Sequence, residues 1–231
     1  MSQLVLFDID GTLCLTGRAG LRGMEAAFLQ LHGIRGALKD VPFAGRTDYS
    51  IVGDALERWG RKATDAEIKR LRDAYVTLLR DELPKPVSDP SGVLPGVEAL
   101  LDALERRDQF AVGLLTGNFV GGAELKLGHF DLWRRFRFGA FGDDHRDRRA
   151  LVPIALERAR EAGFDRCTAD RAVIIGDTPL DVDCAHAHGA RAIAVATGHY
   201  GVDELRATGA ELVVETLEDT GAIVTWLDER A

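Results

Sequence analysis

Gln3-Leu4-Val5-Leu6-Phe7-Asp8-Ile9-Asp10-Gly11-Thr12 is the stretch on which the reading of this chain turns. The run from Gln3 to Phe7 is short, apolar and unbroken, the pattern of a strand buried on both faces. Similar runs recur at Phe110–Leu115, Ala172–Ile175 and Arg191–Val195, with weaker ones at Phe136–Phe141 and Glu211–Val214. Between them lie helical patterns. Val97, Leu100, Leu101 and Leu104 form one stripe over Val97–Arg107, and Leu151, Ile154, Ala155 and Arg158 form another over Leu151–Ala162. Strands alternating with helices of this length predict an α/β fold: a Rossmann-like parallel sheet with helices on both faces. Thr216–Arg230 reads as a closing surface helix.

The alternation has one long interruption. After Thr12 no strand-like run appears before Phe110. The intervening span reads as helices at Gly20–Leu31, Tyr49–Trp59 and Thr64–Leu83, the last opened by a Thr64/Glu67 capping box. The proline-rich stretch from Leu83 to Gly92 reads as a linker. The expected organisation is therefore an α/β core of residues 1–14 and 92–231, carrying an inserted helical unit of residues 15–91.

Composition narrows the function. Of 231 residues 46% are apolar and 29% charged, which excludes disorder, collagen and coiled coil for the whole chain. Lys and Arg number 29 against 37 Asp and Glu, a net charge of −8 that offers no footprint for nucleic acid or an anionic membrane. Three cysteines, Cys14, Cys167 and Cys184, without regular spacing suit a reducing compartment better than a disulfide framework. No stretch approaches the ~20 apolar residues of a membrane helix, and the N-terminus lacks the pattern of a signal peptide. The expected setting is the cytoplasm.

Asp8 and Asp10 lie just beyond a buried strand, on the sheet edge where open α/β folds bind ligands. Residues two apart on a strand-like segment point the same way, so the two carboxylates are expected to converge. Their repulsion calls for a cation between them or a retained proton. The alternative is a solvated Asx turn ending in Asp-Gly. A second buried strand ends in Gly176-Asp177-Thr178-Pro179-Leu180-Asp181. Helix capping accounts for Thr178, Pro179 and part of Asp181, but not for Asp177. Taken together, the two segments fit a hard divalent cation held by oxygen ligands, and few carboxylates with room for water suit Mg²⁺.

A third strand ends in Thr116-Gly117-Asn118. The Thr116 hydroxyl can donate to an anionic oxygen, Gly117 lets the backbone approach closely, and Asn118 can start a helix or touch substrate. The charge run Asp143–Arg149 reads as a solvated loop, but if a phosphoryl group is handled here a fixed cation is needed. Arg148 or Arg149, opening the helix Leu151–Ala162, is then the candidate. The order of these motifs resembles the haloacid dehalogenase superfamily, within it the phosphatases similar to phosphoglycolate phosphatase. The helical insertion looks like the α-helical cap of one of its subgroups.

The resemblance implies roles residue by residue. Asp8 is then the nucleophile that forms an aspartyl-phosphate. Asp10 protonates the leaving alkoxide and later deprotonates water, and its backbone carbonyl binds the metal. Thr116 holds a phosphoryl oxygen, Asp177 ligates Mg²⁺, and Asp181 lies in or just beyond its ligand set. The family usually has Lys, often followed by Pro, at the basic position. This chain has Arg148 and Arg149, and Arg is not a neutral exchange for Lys; Arg148 is favoured over Arg149 because Ile154 then falls six residues on, where the helix should first bury an apolar side chain. In the inserted unit, Ala44-Gly45-Arg46-Thr47-Asp48 resembles the segment after the first cap helix, so Arg46 and Thr47 are candidate substrate contacts. Thr47 or Asp48 as a plain helix cap is the other reading.

His199-Tyr200-Gly201 reads as a surface loop, the alternative being a segment that edges the site. His186 and His188 diverge on a helix and suit packing or the helix C-terminus. Cys14 suits a small apolar filler. The expected function is a Mg²⁺-dependent phosphatase acting on a small phosphorylated metabolite, as a monomer or homodimer. A phosphomutase using the same intermediate and a non-catalytic binding protein on this fold are the alternatives. Neither GxxxxGK[ST] nor GxGxxG occurs.

Overall fold

The computed structural model describes residues 3–165 and 167–230; the outer limits of the expected core unit, residues 1 and 231, lie outside them. Six parallel strands form the sheet: β1 (Gln3–Phe7), β4 (Phe110–Leu115), β5 (Gly139–Ala140), β6 (Ala172–Gly176), β7 (Arg191–Val195) and β8 (Leu212–Val214), in the order β5-β4-β1-β6-β7-β8. β1 is central. Leu4 and Leu6 pack on one face of the sheet and Val5 and Phe7 on the other, all fully buried, which explains the unbroken apolar run.

One face is covered by α4 (Val97–Glu105), α5 (Val120–His129) and α9 (Thr220–Asp228), the other by α6 (Leu151–Glu161), α7 (Pro179–His186) and α8 (Val202–Arg206). The chain builds outward from β1 through β4 to β5 and then returns to the other side of β1 through β6, β7 and β8. The strand order therefore reverses around β1, and the carboxyl ends of β1, β4 and β6 border the crevice where such folds hold ligands.

The insertion forms its own core. α1 (Ala19–His32), α2 (Asp48–Arg58) and α3 (Asp65–Glu82) bury Met24, Phe28, Val52, Leu56, Leu71 and Tyr75 against one another. The Thr64 hydroxyl accepts from the Glu67 amide at the start of α3. The expectation of no strand between Thr12 and Phe110 is corrected: β2 (Cys14–Thr16) and β3 (Ser91–Val93) pair antiparallel, one at each junction of the insertion. Three residues are too few to show a period, and β3 begins inside what the sequence presents as a proline-rich linker. The weak run Phe136–Phe141 yields only Gly139–Ala140 as strand, and the closing helix starts at Thr220 rather than Thr216. No helix of the described residues is long and apolar enough to cross a membrane.

Candidate active site

Asp8, Thr116 and Asp177 each follow directly on a strand of the reversal, β1, β4 and β6. Asp8 (5% exposed), Asp177 (3%) and Asp181 (1%) are buried together, with one carboxylate oxygen of each within 4.8 Å of the others. Asp8 and Asp177 line a cavity of about 630 Å³ between the sheet edge and the helical layer, whose wall also includes Asp10, Lys126 and Arg148 from below and Met24 and Phe43 from above; Asp181 lies behind them.

Backbone geometry makes this proximity possible. Gly11 has φ +81°, and a Cβ there would fall 2.4 Å from Asp177 Oδ2. A Cβ on Gly198 would stand 1.7 Å from the same oxygen, and one on Gly176 would meet Asp181 at 2.1 Å. The Thr12 hydroxyl donates to Asp177 Oδ1 at 3.3 Å. Asp181 Oδ2 accepts from the Thr178 amide at 3.0 Å and the Thr178 hydroxyl at 2.7 Å, so the capping reading and membership of the acidic cluster both hold for this residue.

Arg148 is the counterion. Its Nη2 lies 3.3 Å from Asp8 Oδ1 and 2.5 Å from Asp181 Oδ1, and its Nη1 donates to the Gly45 carbonyl of the helical layer at 3.0 Å. Burial nevertheless dominates at Asp8 and lifts its pKa from 3.8 to about 6, with Arg148 opposing and Asp181 adding to the rise; the Thr116 side chain lowers it. Burial, then Asp181 and Asp8, hold Asp177 well above the ordinary carboxylate range. Arg148 itself resists deprotonation, because Asp181 and Asp8 outweigh the effect of its burial. Three buried acids share one buried guanidinium, and Asp8 Oδ1 has no hydrogen-bond partner. An all-oxygen set with excess negative charge and an orphaned acceptor fits a hard divalent cation.

The expected convergence of Asp8 and Asp10 on one cation is not what the structure holds. β1 ends at Phe7, the chain turns through Gly11, and the strand rule lapses. The Asp10 carboxylate, 45% exposed, is held by Lys126 at 2.6 Å and by Asn118 Nδ2 at 2.9 Å. Each aspartate thus has its own cation. Arg149 points elsewhere, bonding Asp183 at 2.7 Å on the surface. Arg148 is the arginine beside Asp8, and Ile154, on which the preference for it rests, is only partly buried. Leu151 and Val152 are the first buried apolar side chains, and Arg148 precedes them by three and four residues on the same inner face.

A Cβ on Gly117 would lie 2.0 Å from the Arg46 carbonyl, so the close approach that glycine permits here is to the backbone of the helical layer. Arg46 borders the cavity, but its guanidinium pairs with Asp54 at 2.7 Å. Thr47 caps α2, accepting from Ser50, and donates to the Arg146 carbonyl at 2.7 Å, so the cap reading describes it. His199 edges the cavity against Phe43. His186 and His188 bond Glu211 and the Arg149 carbonyl. Cys14 is fully buried.

Sequence reasoning missed Lys126 and read Asp48 only as a possible helix cap. Lys126 is buried on α5 beside Ala123 and Leu127, and a lysine on that stripe was the available signal. Asp48 joins the layers: its amide donates to the Gly117 carbonyl at 2.7 Å and its carboxylate accepts from Phe119 at 2.9 Å. Burial lifts its pKa to about 6.

Comparison with known proteins agrees with this geometry. The chain is 28% identical over 228 residues to a protein named probable phosphatase IndB of Dickeya dadantii, covering 95% of this chain and 92% of that one. It is 28% identical over 232 residues to phosphoglycolate phosphatase of Rhodospirillum rubrum, covering 98% and 91%. A solved hydrolase from Pseudomonas syringae superposes with a TM-score of 0.69 at 21% identity over the whole of both chains, a likeness of fold. A family profile described as haloacid dehalogenase-like hydrolase matches residues 3–189. The chain belongs to the haloacid dehalogenase-like hydrolases.

Proposed function

We propose that this hydrolase is a Mg²⁺-dependent phosphatase that cleaves a small phosphomonoester through an aspartyl-phosphate on Asp8. The observation that carries this reading is the meeting of Asp8, Arg148 and Asp177 at the foot of one cavity, with Asp181 packed against them. Asp8, Asp177 and the Asp10 carbonyl are the ligands assigned to Mg²⁺, with Asp181 beside them, and the ion supplies charge that offsets repulsion between these acids and a phosphate dianion.

The chain's own groups then act in order. Arg148 and Thr116 orient the phosphoryl oxygens next to Asp8. An Asp8 carboxylate oxygen bonds to phosphorus as the ester P–O bond breaks. The electron pair goes to the ester oxygen, which takes a proton from Asp10. The alcohol departs, Asp10 accepts a proton from water, the water oxygen bonds to phosphorus, and the P–O bond to Asp8 breaks. Inorganic phosphate and free Asp8 result. Dividing the displacement in two lowers each barrier, and the proton transfers contribute about 10²–10⁴-fold. Residues 15–91 act as a cap on the core of residues 1–14 and 92–231, hinged at β2 and β3, and exclude water from the cavity.

A panel of phosphate esters, phosphoglycolate included, incubated with and without Mg²⁺ tests this. Release of phosphate that needs the metal and vanishes in Asp8→Asn is expected. Isomer formation in excess of phosphate indicates a mutase, and no release from any ester overturns the proposal.

A further inference from the structure

Lys126 is an ammonium almost wholly withdrawn from water, its side chain 6% exposed. It extends from α5 in the sheet layer into the wall of the cavity. Nζ donates to Asp10 Oδ2 and to Asn118 Oδ1, both at 2.6 Å. Asn118 Nδ2 donates in turn to Asp10 Oδ2 at 2.9 Å and to Thr116 Oγ1 at 2.8 Å. Three side chains close a triangle in which two donors grip a single oxygen of Asp10. Thr116, which contacts Asp8, is tied to the same triangle.

Room for this ammonium is built into both layers. A Cβ on Gly20 of α1 would crowd Nζ at 3.1 Å, and one on Gly122 of α5 would crowd the Tyr75 hydroxyl at 3.1 Å. The other buried positions of α5 are Gly122, Ala123 and Leu127, so an apolar residue would serve packing alone. Burying a charge costs several kcal/mol unless it is well paired. Here the pairing is with Asp10, and the buried carboxylate of Asp48 is also close enough to favour the charged lysine.

We propose that Lys126 is a positioning residue for proton transfer: together with Asn118 it clamps Asp10 by Oδ2, so that Oδ1 meets the ester oxygen of the bound substrate. The inference rests on the reading of Asp10 as the proton donor. It goes beyond that reading by assigning the donor's orientation to a lysine on a helix outside the strand-end motifs. When Asp10 gives up its proton, the ammonium stands against the carboxylate that remains.

The choice of leaving group separates positioning from general structural support. An alkyl phosphate releases an alkoxide that must be protonated as it leaves, whereas p-nitrophenyl phosphate releases a phenolate that need not be. Alcohol and p-nitrophenolate release are measured in single turnovers with enzyme in excess, on the Mg²⁺-loaded full chain. In Lys126→Met the ratio of alkyl to aryl release is expected to fall about 10²-fold, within the range of general acid catalysis, with substrate saturation little changed. Asp10→Asn is expected to lower the same ratio. If Asp10→Asn slows both esters equally, the proton-donor role of Asp10 falls, and the inference with it. If Asp10→Asn lowers the ratio but Lys126→Met slows both esters in parallel, or neither, the positioning role is overturned while that of Asp10 stands. Lys126→Gln, uncharged and shorter, gives the same comparison if Lys126→Met does not fold.

Discussion

Arg148 Nη2 stands 3.3 Å from Asp8 Oδ1, while the next residue, Arg149, bonds Asp183 at the surface. Two adjacent arginines therefore have opposite surroundings, one 7% and the other 58% exposed at the side chain. Arg148→Ala removes the only cation in direct contact with Asp8 among the described residues. Its phosphatase rate is expected to fall about 10²–10³-fold, as when a preorganised electrostatic donor is deleted. Arg149→Ala loses an ion pair screened by solvent at the surface and should change the rate little. Steady-state rates of the two variants on one ester decide the matter. Equal losses would remove Arg148 from its assigned role.

Stability at Asp8 depends on pH in a direction set by its burial. A folded-state pKa of about 6 against 3.8 means that the folded protein holds the proton more tightly than the unfolded chain. The resulting stability is complete below pH 3.8 and is lost as pH rises through about 6. Asp8→Asn cannot ionise. In the presence of a chelator it should be more stable than the parent chain at pH 8, by up to about 3 kcal/mol. The gap should close toward pH 4. Urea denaturation at the two pH values checks this, and an advantage that grows toward low pH would reverse the assignment.

Divalent cation should act on the same charges. With Mg²⁺ at about 100 times its Kd, stabilisation of about 2.7 kcal/mol follows from binding to the folded state alone. For a chain of this size that is a rise in Tm of about 5–10 °C. Asp177→Asn should abolish the rise while leaving the chelated protein folded. Thermal melts with Mg²⁺ and with chelator measure both. A full Mg²⁺ shift in Asp177→Asn would exclude Asp177 as a ligand.

Much of this site was legible because its residues follow strands whose apolar runs cannot be mistaken. Asp8, Thr116 and Asp177 are each fixed by the end of a buried strand, and the reversal of strand order around β1 brings those ends together. Contacts made by turns and helices were less legible. Asp8 and Asp10 were expected to converge, yet the turn after Phe7 gives Asp10 a partner 116 residues away, on a helix the apolar pattern left unread. α5 holds Gly121 and Gly122 and a buried lysine, which blur the stripe that identifies a helix. β2 and β3 were unread for another reason. Their three residues acquire strand geometry only by pairing with each other across the insertion.

Gly198 links this backbone detail to function. It lies in the loop after β7, not on either aspartate motif, yet a Cβ there would stand 1.7 Å from Asp177 Oδ2. Gly198 is exposed and its φ is not in the left-handed region, so alanine does not strain the backbone itself. The clash must be relieved by moving Asp177, whose carboxylate is held by Thr12 on one oxygen. Gly198→Ala is therefore expected to fold normally and to weaken Mg²⁺ binding about 10–100-fold, the scale seen when a metal ligand loses its orientation. Activity should return at high Mg²⁺. Titration of activity against Mg²⁺ for the parent and the variant measures the displacement directly, and superimposable curves would show that Asp177 is free to move without consequence for the metal.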